Sequence, residues 1–436
     1  MTKTYHVEPV TRLEGHAGII LKMSDKGDRV EDINFNVTSS RFFEKFVEGR
    51  YAEHVPRITP RICGICPIPH HMTATKAVEA AWGIEIPEPA EKLRRLLMNA
   101  KQYSSHLLHF FALAAPDFLY GPFASPAKRN VVSVINDMPD VGKMALQMMD
   151  FGQQLCAAIG AKAVHPVVGI VGGMKKALTE EQREHFLGQI DQQLEFMEAT
   201  AKLAVDVVEK YWDVVAKVAV VPLYYCSVAK DGVHEIYDGD WIVTDPEGKR
   251  TAYNPTDYLD VVSEHVSSSS YATHCFVKDV GYPEGMYVAG PLAMVNGCER
   301  MKTPMAQSAL KQMREKVGSD IIHNQFAYHW ARIIEAVEAL ERVAELLKDP
   351  AVCSENIKTL DVEPKAGRGV GFTEAPRGNL LYDIHTDEDG ICTQLNLLVA
   401  TNHNIGGINK VLAATAKGIF EEDVLSSVKL PEPFIK

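Results

Sequence analysis

Cys63 and Cys66 stand in the run Arg61-Ile62-Cys63-Gly64-Ile65-Cys66-Pro67-Ile68-Pro69-His70. A C-x-x-C turn sets two sulfurs where one soft ion can take both, and a thiolate site for zinc, nickel or iron needs about four ligands. The pair fits half of a catalytic metal site, a structural zinc half-site or a thiol redox couple. His70, four residues after Cys66, suits a hydrogen bond to a metal-bound sulfur. The other cysteines, Cys156, Cys226, Cys275, Cys298, Cys353 and Cys392, stand alone along the chain and read as small buried apolar residues. A metal site therefore gathers two of them through the fold, or another polypeptide completes it.

Two further groups carry chemistry of less defined kind. Arg12, Glu14 and His16 lie side by side in Thr11-Arg12-Leu13-Glu14-Gly15-His16, a pattern that a solvated surface also produces. Near the other end, Phe372-Thr373-Glu374-Ala375-Pro376-Arg377-Gly378 sets Arg377 directly after a proline, whose fixed φ holds the backbone there. Neither decides a reaction alone.

Taken together they do. R-L-E-G-H near the start, R-I-C-G-I-C-x-x-x-H and E-A-P-R-G resemble, in order and spacing, the large catalytic subunit of nickel-iron hydrogenases. His109-Phe110-Phe111-Ala112-Leu113-Ala114-Ala115-Pro116-Asp117 is similar to that family's H-F-x-x-L-x-x-x-D, and His165-Pro166 leading to Gly172-Gly173 to its H-P-x-x-x-x-x-G-G. The resemblance spans essentially the whole chain.

It implies reversible heterolysis of dihydrogen into two protons and two electrons at a nickel-iron centre whose iron carries carbonyl and cyanide. Cys63 would be a terminal thiolate on nickel and Cys66 a bridge to iron, both soft ligands suited to these metals. His70 would donate a hydrogen bond to the bridging sulfur. Arg377 would hang over the open coordination position, steadied by Asp117. Glu14 would be the first proton carrier. Pro376 and Thr401 would line the cofactor, Thr401 touching a cyanide. Glu44, 19 residues before Cys63, would bind magnesium or another hard divalent cation, although a plain helix-face position fits it as well.

The departures from the family pattern are as informative. Members normally end in D-P-C-x-x-C-x-x-H, which this sequence lacks. The respiratory complex I relative has lost its metal, and a metal-free electron-transfer subunit is the competing reading; that relative has also lost the first cysteine pair, which remains here. A zinc protein recruiting isolated cysteines is a second rival. The economical expectation is a short separate polypeptide that supplies the motif, as in methanogen hydrogenases that do not reduce coenzyme F420, where a selenocysteine replaces one cysteine; a shortened chain is the alternative. It would dock near the Cys63 loop and beside the Pro-rich stretch 430–436. Tyr382 stands where many relatives carry histidine in A-P-R-G-x-L-x-H, and 399–404 departs from the usual P-S-T-W-N.

Long helices and a smaller sheet region must position these groups. Alternation over 18–37 around a turn at 25–28 predicts a β-hairpin. Apolar spacing predicts helices over about 89–114, 142–160, 180–219 and 319–348, with Thr179 and Gln182 as a capping box. Helical residues His106, His323 and His329 read as satisfied core or surface histidines. Aromatic and β-branched runs over about 220–300 predict a β-rich insertion, and 394–401 a strand before a helix near 407–417. The fold class is α+β, one domain over 1–436 with a long-helix core.

The 436 residues, 46% of them hydrophobic, suffice for a large core. A net charge of −12 argues against a nucleic-acid partner. No apolar run reaches the ~20 residues that span a bilayer, and the start lacks a signal-peptide pattern, so the cytoplasm is the expected compartment. The cysteines are too few and scattered to hold an iron-sulfur cluster. Electrons must therefore leave through an iron-sulfur small subunit, and the methanogen resemblance points onward to an iron-sulfur adaptor and heterodisulfide reductase.

Overall fold

Glycine recurs at alternate positions in Gly367-Arg368-Gly369-Val370-Gly371, which puts all three on one face of a strand. In the computed structural model, which describes residues 2–39 and 42–435, that strand runs Gly367–Ala375 and its glycine face lies on the helix Pro67–Trp82. A Cβ at 367, 369 or 371 would fall 2.1 Å from the carbonyl oxygen of Ala81, Ala77 or Thr73, so only glycine permits this approach. Thr73 Oγ1 and Thr373 Oγ1, 2.6 Å apart, pin the same contact. The helix is buried nearly all round and begins with Pro67 at its first position, where the missing N–H costs nothing.

The strand continues into a three-stranded antiparallel sheet with Gly378–Thr386 and Cys392–Leu398. Ala375 pairs with Gly378, leaving Pro376 and Arg377 as a two-residue loop. The glycine stripe thus fixes the Arg377 loop against the helix that starts at Cys66.

Beside this unit lie the long helices Glu88–Leu108, Pro139–Gly160, Ile190–Lys210 and Tyr328–Lys348, the first and last of them packed together. Leu93, Leu96, Leu97, Ala100, Tyr103 and Leu107 are buried, as their spacing requires. The first helix runs on through a π-helical turn, His109–Ala114, into Ala115–Tyr120. Pro116 offers no N–H for a regular helical bond at that point, which accounts for the widened turn.

Two helix expectations change. The segment 180–219 forms three helices, Glu180–Leu187, Ile190–Lys210 and Trp212–Lys217, broken first at Gly188, a poor helix former. Thr179 and Gln182 do form the capping box. The last long helix starts only at Tyr328; Gly318 ends the preceding helix Pro304–Val317 in a left-handed conformation, and 319–324 connects the two. His323 therefore sits in a connection, within 3.0 Å of the Pro246 carbonyl, and not on a helix.

The expected hairpin exists as Ala17–Met23 and Val30–Val37, joined by a third strand, Lys3–Val7. The β-rich stretch contributes Tyr224–Lys230, Val233–His234, Asp240–Thr244, Arg250–Tyr253 and Tyr287–Val288 to a five-stranded sheet. Its Tyr225, Trp241 and Val243 lie in the same hydrophobic cluster as Leu93 and Leu340, so it shares the helical core. The C-terminal helix is longer than expected, Ala400–Phe420. All eight cysteines are free, and of the six isolated ones Cys353 alone is only half-buried. Among the described residues no helix is long and apolar enough to cross a membrane; Lys436, at the end of the expected docking stretch, lies outside them.

Candidate metal centre

Cys66 caps the N-terminus of Pro67–Trp82, and its backbone N–H donates to the Cys63 sulfur at 3.1 Å. One turn on, His70 brings its ring to the pair: the ligand atoms of Cys63, Cys66 and His70 all lie within 4.8 Å of one another. The Cys66 thiol hydrogen-bonds to Cys63 and, with a second hydrogen bond from His70, holds it far below the usual thiol range, at about 3, against the opposing effect of burial. Cys66 moves the other way, because it is the donor in that bond and is buried. Without a metal the pair thus shares one proton. Two soft sulfurs at a helix N-terminus form a competent half-site for a thiophilic metal. His70, expected to bond the bridging sulfur of Cys66, lies close to both sulfurs.

Glu14 arrives from the N-terminal loop, with Oε2 3.9 Å from the Cys63 sulfur. Its approach is set by Arg12, which donates to the Leu113 carbonyl at 2.8 Å and to Asp117 at 2.6 Å. This corrects the expectation for Asp117. It pairs with Arg12 and, at 2.9 Å, with Arg129, while Arg377 donates to Ser105 Oγ. The widened turn His109–Ala114 carries Asp117 to the face that Arg12 and Arg129 reach.

Arg377 stands in the field of Cys66, Cys63 and Glu14, which raise its affinity for a proton while burial lowers it more. Its Nη2 is buried without a hydrogen-bond partner among the described residues. A buried orphan donor on a guanidinium in the field of two sulfurs fits a site that holds a further electron-rich group. The loop is braced from behind: Arg332 donates to the Pro376 carbonyl at 3.1 Å, and Asn404 to the Arg377 carbonyl at 2.9 Å. Thr401 is exposed in the first turn of its helix; it is Asn404, one turn further, that holds the loop.

Glu44 lies apart from this cluster, in the short helix Phe43–Val47, accepting from the Leu397 N–H at 2.9 Å. Burial raises its pKa, and the nearby Glu264 adds to the rise. A half-buried carboxylate within the field of a second, exposed one suits a hard cation. His165 adds a further restraint on the cysteine loop, with Nδ1 2.8 Å from Arg61 Nη1.

Sequence reasoning gave Arg12 no partner, and missed Ser105, Asn404 and a buried ionic chain behind the site. His106 and Glu335 lie 3.0 Å apart, Glu335 and His234 3.1 Å, and His234 and Glu338 3.0 Å. Arg342 continues it to Glu235 at 2.8 Å and Arg95 at 3.0 Å from that carboxylate. A charged residue on a helical core face was the available signal, at Arg332, Glu335 and Arg342 in Tyr328–Lys348.

The fold and this site define a class. The family described as "Nickel-dependent hydrogenase" matches residues 41–137, and the one described as "HoxL-like" matches residues 4–39. A solved NAD+-reducing nickel-iron hydrogenase in its H2-reduced state superposes with a TM-score of 0.90 at 30% identity, over 99% of this chain and 95% of that one. The chain belongs to the nickel-dependent hydrogenase large-subunit family and is an enzyme of that family.

Within it, one subunit of the F420-non-reducing hydrogenase vhu of Methanocaldococcus jannaschii is 45% identical over 95% of this chain and 99% of its own length. The matching subunit of the F420-non-reducing hydrogenase of Methanothermobacter thermautotrophicus is 40% identical over 91% of this chain and 84% of its own length.

Proposed function

We propose that this chain, as one domain, is the catalytic subunit of an F420-non-reducing hydrogenase that splits dihydrogen reversibly, with Cys63 and Cys66 as ligands of a nickel-iron centre bearing carbonyl and cyanide. The observation that carries the reading is the convergence of Cys63, Cys66 and His70 within 4.8 Å, in the electrostatic field of Arg377, whose Nη2 has no hydrogen-bond partner among the described residues. The bound centre supplies the Lewis acidity that polarises dihydrogen. The chain's own groups handle the proton and the access. Cys63 Sγ takes up the proton released when dihydrogen is split and passes it to Glu14 Oε2, and Glu14, an exposed residue, hands it on to water. Arg377, fixed by Ser105, Pro376 and Asn404, keeps a rigid donor over the reacting position. Pro376 and Thr401 would line the diatomic ligands of the loaded centre, and Glu44 would hold magnesium.

This chain offers two adjacent thiolates where a nickel-iron centre needs about four. A short polypeptide bearing a Cys or selenocysteine pair and a histidine supplies the rest. Electrons leave through the iron-sulfur small subunit, an adaptor and heterodisulfide reductase in the cytoplasm. Elemental analysis, infrared spectroscopy and mass spectrometry of the natively purified complex test this together. Nickel with carbonyl and cyanide bands, and a co-purifying short peptide with the pair, are expected. One zinc per chain without such bands would replace this reading by a zinc protein, and no metal at all by a structural subunit.

A further inference from the structure

Tyr382 is wholly buried on the strand Gly378–Thr386, yet its hydroxyl finds a partner: it meets Nδ1 of His70. The two rings lie 6.1 Å apart between centroids, joined through that one polar contact. Tyr382 belongs to the same apolar cluster as Cys66, Ala74, Leu380 and Ile384. The His70 ring lies against the cysteine pair, the ligand atoms of His70, Cys63 and Cys66 all falling within 4.8 Å of one another, and Nε2 is the nitrogen left to face them. An imidazole carrying its proton on Nε2 has a lone pair on Nδ1, and the reverse tautomer would aim a lone pair at the sulfur. A tyrosine hydroxyl is able to donate to Nδ1 and so to select the first form.

We propose that Tyr382 is a positioning residue: its O–H donates to His70 Nδ1 and fixes the tautomer whose Nε2–H points at the Cys63 sulfur, thereby setting the electron density on that ligand. The inference rests on the reading of Cys63 and Cys66 as metal thiolates. It gives a role to the position where the sequence departs from the usual histidine. Burial and the neighbouring Cys66 and Cys63 push the Tyr382 hydroxyl well above the ordinary tyrosine range, so it stays a donor throughout the working pH range. A hydrogen bond to a metal-bound sulfur withdraws charge from it, and its loss returns that charge to the metals.

The test is Tyr382→Phe in the intact complex, which removes the donor and keeps the ring. Histidine-labelled protein, with the His70 signals assigned through His70→Gln, reports the tautomer by 15N NMR. The unsubstituted complex should show the proton on Nε2, and Tyr382→Phe should lose that single form. In variant complex with full nickel content, the infrared carbonyl band should shift to lower frequency, because a more electron-rich sulfur strengthens back-donation from iron. An unchanged tautomer and unmoved bands in nickel-loaded Tyr382→Phe would overturn the proposal. Should the variant fail to accumulate, a proton found on Nδ1 in the unsubstituted complex overturns it equally. Absence of carbonyl and cyanide bands from the unsubstituted complex would sink the metal reading instead, and the tautomer measurement would still decide the role of Tyr382.

Discussion

Glu14 Oε2 lies 3.9 Å from the Cys63 sulfur although 49 residues separate them in the chain. The contact is made by the anchoring of Arg12 on Leu113 and Asp117, which swings the loop over the cysteine pair. A carboxylate at that distance takes a proton from a thiol with little rearrangement.

Glu14→Gln keeps size and hydrogen bonding but carries no proton at neutral pH. Hydrogen-deuterium exchange should fall by ~100-fold or more while nickel content stays at the unsubstituted level. Exchange near the unsubstituted rate would assign the relay to another group.

Cys63→Ser and Cys66→Ser replace a soft sulfur with a hard hydroxyl. Both should lose nickel and all dihydrogen uptake in soluble complex. If the pair merely stapled a loop, nickel would remain and only stability would drop, so metal content of the purified variants separates the two.

Arg377→Lys keeps the charge and gives up the planar fork that reaches Ser105 and the site at once. Turnover should drop by ~100-fold in fully metallated enzyme, on the scale of one lost preorganised donor. Near-normal turnover would remove the guanidinium from the chemistry.

Gly371→Ala places a methyl group 2.1 Å from the Thr73 carbonyl, in the contact that holds the Arg377 loop on the cysteine helix. Overpacking of this kind costs ~1–3 kcal/mol, and backbone is the neighbour that must give. Chemical denaturation should show the loss, with turnover falling further than stability because Arg377 moves relative to Cys66. A variant as stable and active as the parent would contradict the close packing.

The buried chain behind the site predicts a pH window. Burial opposes the charged form of Glu335, but hydrogen bonds from His106 and His234 hold its carboxyl down at about 2. A depressed carboxylate stabilises the fold above its unfolded value of ~4.3 and loses that contribution as pH falls toward the folded value. Burial likewise opposes a charged His234, yet Glu338 and Glu335 raise it well above its ordinary value. A raised histidine contributes fully below ~6.5 and loses its contribution as pH climbs through the folded value. Burial holds His106, the other partner of Glu335, down at about 4, so its contribution is lost as pH falls below about 6.5. Denaturation midpoints should therefore decline below about pH 6.5, further below about pH 4.3, and again as pH climbs through the raised value of His234, an alkaline decline that His234→Gln should abolish. The same alkaline slope in that variant would place its origin elsewhere.

Much of this was legible in the sequence because the site is built on local motifs. The C-x-x-C turn and His70 one helical turn later owe their geometry to neighbouring residues and come together within 4.8 Å, and Arg377 after Pro376 falls within their electrostatic reach. Asp117 was misplaced because its direction depends on the widened turn before it, and a helix of regular pitch would have carried it elsewhere. The anchoring role of Arg12, and Ser105 and Asn404 altogether, were invisible for a related reason. Each acts through one hydrogen bond to a distant backbone or side chain, and nothing in its own surroundings marks it. The three glycines of 367–371 could be read as a strand face, while the helix they admit had to be seen.

The central claim is that Cys63 and Cys66 provide part of a thiolate shell around nickel, completed by ligands from outside residues 1–436. Nickel-edge X-ray absorption on the natively purified complex counts that shell directly. About four sulfur or selenium scatterers, with iron close beyond them, are predicted. A shell of nitrogen and oxygen, or no more than the two sulfurs this chain brings, would contradict it.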